Sequence, residues 1–224
     1  MTTTAWDLAS LQIHLRSTNS NFDAANEVLR TLGQDVLIFR YHMAMARDAL
    51  KGLVDEEHPD GHENFLLVFG GSEKCDEFNY ARIVSEAHLI SCLHTARDMW
   101  DHFAQLLNLV ILGAAIPIHL CDISEVSIRL PESALRDYVS STLSSHWYKY
   151  VAAFVNTAKH RRLVQHLFSV SIEENRAGVR LGAFSYKSEH FREYWGTEAL
   201  EGAIEVKNRV VGAGRLLNET VLSL

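Results

Sequence analysis

Proline is scarce in this chain, and the signatures of common cofactor folds are missing altogether. Three prolines stand among 224 residues, so long helical stretches run without a breaker. There is no Gly-x-Gly-x-x-Gly, no phosphate loop with Gly-Lys-Ser/Thr, no Gly-x-Ser-x-Gly and no His-Glu-x-x-His. A dinucleotide fingerprint, a phosphate-binding loop, a hydrolase elbow and a zincin helix are excluded with them. Cys75, Cys92 and Cys121 are odd in number and form no close pair, which leaves neither a disulfide framework nor a zinc ribbon. The most apolar run, Phe103 to Ile118, is interrupted by Gln105, Asn108 and Gly113 and is too short to span a bilayer. No membrane association is expected. Met1 to Asp7 lacks the basic start and apolar stretch of a secretory leader, so the sequence is read as cytoplasmic.

What is present is an ordinary globular composition, 47% hydrophobic and 22% charged. The length suffices for one domain, 1–224, with a real core. The net charge of −7 argues against a wholly basic nucleic-acid binder. The charge is uneven, however. From Lys149 to Arg192 eight lysines and arginines stand against three glutamates, a basic stretch on an acidic body. It suits a polyanion, or it is an ordinary solvated hairpin.

Periodicity points to a mainly α bundle of three to four long helices, with one β-hairpin before the last helix. Asn19-Ser20-Asn21 offers an N-cap for a helix from Phe22 to Leu53, with Val28, Val36, Phe39, Met43, Ala46 and Leu50 as its stripe. Asp55 to Ser72 reads as a loop. A second helix is expected from Glu77 to Leu112. Asp122-Ile123-Ser124-Glu125 suggests a capping box for a short helix. Pro131 suits the first turn of a third helix reaching His160, marked by Tyr138, Leu143, Trp147, Val151 and Phe154. The hairpin falls at about 163–187, with Leu167–Ile172 and Val179–Tyr186 as its strands, and Thr197-Glu198 opens the final helix. Gly212-Ala213-Gly214 in that helix reads as a close packing point. The rings of Trp100, Trp147 and Trp195 read as core.

Two polar clusters sit on these apolar helices. One is Arg97-Asp98-Met99-Trp100-Asp101-His102. The other is Asn156-Thr157-Ala158-Lys159-His160-Arg161-Arg162. Burying such groups unpaired costs several kcal/mol, so each cluster builds either an internal polar network or a site. At about 100° per residue Arg97 borders the core stripe and Asp101 lies one turn beyond it, placed for an intrahelical ion pair. Asn156 and His160 share a face four residues apart. They are placed to work together or to cap carbonyls. Lys159, Arg161 and Arg162 complement the helix dipole or guide a phosphate backbone.

Arg97, a following Asp98 and His102 five positions on resemble the motif of HEPN-domain proteins, a family of α-helical bundles. Asn156 to His160 resembles the second half of that motif, with Val155 where the arginine would stand. The resemblance implies a metal-independent endoribonuclease site of Arg97, His102, Asn156 and His160, supported by Asp98 and Asp101, with RNA held by Lys159, Arg161 and Arg162. It implies no cofactor. It also implies a homodimer, an RNA or nucleotide ligand, and a place in a prokaryotic defence or toxin system with a protein antitoxin. On a continuous helix Arg97 and His102 point about 140° apart. A composite site is therefore expected, with Arg97 facing Asn156 and His160 from a neighbouring helix. The alternative within the resemblance is a non-catalytic dimerisation, nucleotide- or RNA-binding module. A further alternative is metal binding. His94, Asp98 and His102 recur at i, i+4 and i+8 across about 80° of helix surface, with His42 and His146 to complete the set.

Overall fold

A computed structural model describes residues 5–55 and 58–222. Among them eight α-helices and five short strands follow in order: α1 (Leu8–Thr18), α2 (Phe22–Asp48), α3 (His62–Phe69), α4 (Cys75–Val110), α5 (Ile123–Arg129), α6 (Ala134–Ser144), α7 (His146–His160), β1 (His166–Ser171), β2 (Arg176–Leu181), β3 (Phe184–Tyr186), β4 (Glu189–Phe191), β5 (Tyr194–Trp195) and α8 (Gly196–Leu222). The mainly helical class, with antiparallel strands ahead of the last helix, is as the sequence expects. The helices exceed the expected three to four, for local reasons. No helix among the described residues is long and apolar enough to cross a membrane.

Asp7 starts α1 by accepting from the Ser10 backbone N–H at 3.0 Å. The expected loop from Asp55 to Ser72 contains α3. Its buried Asn64 donates to the carbonyls of Asp55, His58 and Pro59, which fixes the turn that launches the helix. The expected third long helix is broken. α6 ends at Ser144, and Ser145 turns extended, with its hydroxyl on the Thr142 carbonyl at 2.7 Å. The break rephases the chain: Tyr148, Tyr150 and Val151 are buried while Trp147 is only half-buried. Pro131 stays outside the helix, because Ser133 is the N-cap and accepts from the Arg136 N–H.

β1 and β2 form an antiparallel hairpin with Ser171 opposite Arg176, and β5 extends it beyond β2. The expected second strand stops early. Gly182 donates to the Gln165 carbonyl at 2.9 Å, and β3 turns away to pair with β4 instead.

The chain divides into two compact units. The first comprises Met1–Ile38, Thr95–Lys149 and Ile204–Leu224. Its core is an edge-to-face series of rings, Trp6 on Phe103, Phe103 on Trp100, and Trp100 on Tyr148. The fully buried Trp100 donates its indole N–H to the Val206 carbonyl at 3.1 Å. The second comprises Phe39–His94 and Tyr150–Ala203. Tyr150 lies at its centre, in ring contact with Phe154, Phe184, Phe191 and Tyr194. A smaller apolar cluster of Val54, Leu67 and Phe78 joins α3 to the hairpin through Phe168 and Ala177.

The paired glycines of α8 act as the sequence suggests. Tyr138 packs against Gly212 and Trp6 against Gly214. A Cβ on Gly214 would lie 2.2 Å from Trp6 Cδ2, inside a ring that cannot bend away. Alanine is the better helix former by about 1 kcal/mol, yet Gly214→Ala is expected to cost roughly 1–3 kcal/mol through overpacking. Thermal unfolding checks this. An unchanged or raised Tm would contradict the packing account.

Candidate functional site

In the first unit, the polar residues of α4 are met one by one. Arg97 donates to Asp101 Oδ1 at 2.5 Å, and its guanidinium carbon lies 5.7 Å from the centre of the Tyr148 ring. Burial disfavours the Arg97 charge, but Tyr148 and Asp101 outweigh it and hold the group firmly protonated. Burial in turn pushes the Tyr148 hydroxyl up to about 12. The Arg97 side chain is only 17% exposed and its carboxylate partner is one turn away. The arrangement is a satisfied ion pair at the edge of the core.

His102 is engaged elsewhere. Its Nδ1 lies 2.7 Å from Asp35 Oδ2 on α2, and Asp35 is 8% exposed. The hydrogen bond to Asp35 raises the His102 pKa against the opposing effect of burial, and Asp98 and Asp101 add to the rise. Asp35 is the residue that sequence reasoning missed. It stands three after the buried Leu32 and four before the buried Phe39, on the core stripe itself. An aspartate at such a position needs a cationic partner, and that was the available signal.

His102 also lines a cavity of about 540 Å³, together with Glu27, Thr31, Gln105 and Cys121. The loop over it is built to hold. Gly113 and Ala114 take φ of 62° and 63°, and the Asn108 side chain clamps Ile116 through both its N–H and its carbonyl. An imidazole backed by a carboxylate at a cavity wall is equipped for proton transfer.

The stripe of His94, Asp98 and His102 does not assemble as ligands. Among the described residues no three histidines, cysteines or carboxylates come together as a metal group, and the Nδ1 of His102 is taken by Asp35. His42 faces another histidine: its Nδ1 lies 2.7 Å from Nδ1 of His88. Burial, with His88 beside it, lowers the His42 pKa.

The other expected site residues belong to the second unit. Asn156 is half-buried and donates to the Ala152 carbonyl at 2.8 Å, so it serves its own helix. Val155 is 2% exposed; an arginine there would be driven into the core. Lys159, His160, Arg161 and Arg162 are exposed where α7 ends. Arg161 and Arg162 both close the helix on the Thr157 carbonyl. The guanidinium of Arg161 then sits 5.3 Å from the centre of the Tyr186 ring, and the Lys187 ammonium sits 5.6 Å from the same ring. Lys187 holds φ of 53° in the β3–β4 turn, next to a contact between Ser185 and His190. Tyr186 and Lys187 were not singled out from sequence, because their nearness to α7 depends on the strand turning away at Gly182. Arg97 belongs to the first unit, whereas Asn156 and His160 belong to the second. The chain matches no family model, no curated protein and no solved structure.

One more titratable group in the second unit is deeply buried. The His166 side chain is 1% exposed, neither ring nitrogen has a hydrogen-bond partner among the described residues, and Glu86 lies 3.9 Å away. Burial, reinforced by Arg82, lowers its pKa to about 4.

The two histidines predict opposite pH effects. The stabilisation carried by His102 is fully present below the ordinary histidine pKa of about 6.5 and is lost as pH rises through its raised value. His166 is neutral when folded, so the unfolded chain gains a proton first as pH falls from about 6.5 to about 4. Stability should drop over that window by about 3 kcal/mol. In urea unfolding, His166→Phe should flatten the loss between pH 7 and pH 4.5. In NMR titration, Asp35→Asn should lower the His102 midpoint. An unflattened loss contradicts the His166 account, and an unmoved midpoint contradicts the His102 account.

Proposed function

We propose that this chain is an HEPN-like, RNA-directed protein that holds single-stranded RNA on the end of α7 and the β3–β4 turn. The carrying observation is that Arg161 and Lys187 both lie against the Tyr186 ring, beside the exposed Lys159, His160 and Arg162. Cations neutralise phosphates and release counterions, and an aromatic ring among them offers a base a stacking surface. The net charge of −7 confines RNA to this region, because the rest of the chain repels it. The further partners that the resemblance implies, a second copy of the chain and a protein antitoxin, rest on the resemblance alone.

A second reading is metal-independent cleavage of the bound strand, favoured by the exposed His160 beside Arg161. In it His160 takes the proton of a ribose 2′-OH, the 2′-oxygen bonds to the adjacent phosphorus, and the bond to the 5′-oxygen breaks. The protonated His160 gives up its proton, through solvent, to the leaving 5′-oxygen, and a 2′,3′-cyclic phosphate remains. Arg161 supplies the charge on the phosphate in place of Arg97, which is committed to Asp101. His102, oriented by Asp35, remains a separate proton-transfer group in the first unit.

Fluorescence anisotropy with a single-stranded RNA, followed over a salt series, tests the first reading. Arg161→Ala should weaken binding and reduce the salt slope by about one. Tyr186→Ala should weaken it by about 1–3 kcal/mol with little change in slope. Binding that neither variant alters, or no binding at low salt, would overturn it. Cleavage in excess EDTA that vanishes in His160→Ala supports the second reading; uncut RNA removes it and leaves the binding role.

A further inference from the structure

The second unit contains a cavity of about 360 Å³ whose lining is charged on one side only. Its floor is apolar, made by Ala46, Leu50, Leu89, Val179 and Leu200. Arg47 and Arg176 are its charged lining residues; no carboxylate lines it, and Glu198 lies 4.0 Å from Arg176 Nη1. We propose that this cavity binds a small organic phosphate monoester, with the apolar body on the floor and the phosphate between Arg47 and Arg176.

Three observations support this assignment. First, Arg176 is pre-organised. It donates to the Thr197 hydroxyl at 2.6 Å, and its guanidinium carbon sits 4.9 Å from the centre of the Trp195 ring. A guanidinium held in place loses little freedom when it meets an oxyanion. Second, Arg47 lies exposed on the last turn of α2 and makes no hydrogen bond or ion pair with any described residue. Helix dipole complementation accounts for a cation there, but not for its position beside a second arginine over an apolar floor. Third, the charges match. Two arginines suit the dianion of a monoester, since Glu198, 4.0 Å from Arg176, offsets only one of the two charges and guanidiniums take phosphate oxygens in pairs.

The neighbouring groove shows the contrast. There Arg180 is bound by Glu174 and by Glu193, each at 2.5 Å, and its guanidinium lies 4.2 Å from the centre of the Trp195 ring. Arg176 and Glu198 line that groove as well, and there three arginines face three glutamates, whereas the first cavity is lined by two arginines and no carboxylate. Both cavities measure about 360 Å³, within the size range of small-molecule sites of about 300 to 1,000 Å³, and they differ in charge rather than in size.

Calorimetry with phenyl phosphate as the probe, on the full chain in physiological salt, tests the assignment. Phenyl phosphate should bind saturably and at least tenfold tighter than either inorganic phosphate or phenol, because it alone uses both floor and wall. Benzoate should bind more weakly than phenyl phosphate. Arg47→Gln, an exposed change on a helix end, should weaken phenyl phosphate at least fivefold, and Arg47→Lys should restore part of the loss. The RNA affinity should be unchanged in Arg47→Gln, which separates this cavity from the α7 end. No saturable binding to folded protein, equal binding of inorganic phosphate, tighter binding of benzoate, or an Arg47→Gln variant that binds as wild type does would each overturn the proposal.

Discussion

Helix α4 cannot bury its apolar stripe without carrying ionisable groups to the edge of that stripe. Leu89, Leu93, Ala96, Trp100, Phe103 and Leu107 are buried, and Arg97, Asp101 and His102 lie between them. A charge brought that close to the core is costly unless it is met. The chain meets each one. Asp101 takes Arg97 within the helix, and Asp35 takes His102 from α2. Removing either carboxylate would leave a half-buried cation alone, which costs more than the intact pair contributes. The polar network follows from the packing of the helix and is a condition of it.

That constraint reinterprets the motif resemblance. Arg97 and His102 have the spacing of an HEPN motif, and each is met by a carboxylate, Asp101 and Asp35. Because the two side chains leave a continuous helix about 140° apart, the sequence pointed to a composite site of Arg97 with Asn156 and His160. Exposed cations lie where α7 ends and in the β3–β4 turn. There Arg161 and Lys187 both lie against Tyr186.

Much of this was legible in the sequence. The long α4 and α8, the hairpin ahead of α8, the Asp122 cap, the Arg97–Asp101 pair and the close packing at Gly212 and Gly214 follow from local rules of period, capping and helix spacing. The misses have a common cause. A stripe drawn through Val36 passed beside Asp35, because apolar periodicity counts aspartate as surface. The break at Ser145 is made by one hydroxyl satisfying one carbonyl, and a run of serines and threonines does not say which of them will do so. The turn at Gly182 depends on a single bond to Gln165, yet it decides that Tyr186 and Lys187 belong to β3 and its turn rather than to β2. Contacts between distant segments decided these cases.

The most direct measurement is photo-crosslinking of 4-thiouridine RNA to the protein, with the attached peptides mapped by mass spectrometry. If the α7 end and the β3–β4 turn hold the strand, crosslinks will concentrate in the peptides that contain Tyr186 and Arg161. Crosslinks concentrated instead around Arg97 and His102 would contradict the account, since they would require Arg97 to leave Asp101 and His102 to leave Asp35 to meet RNA.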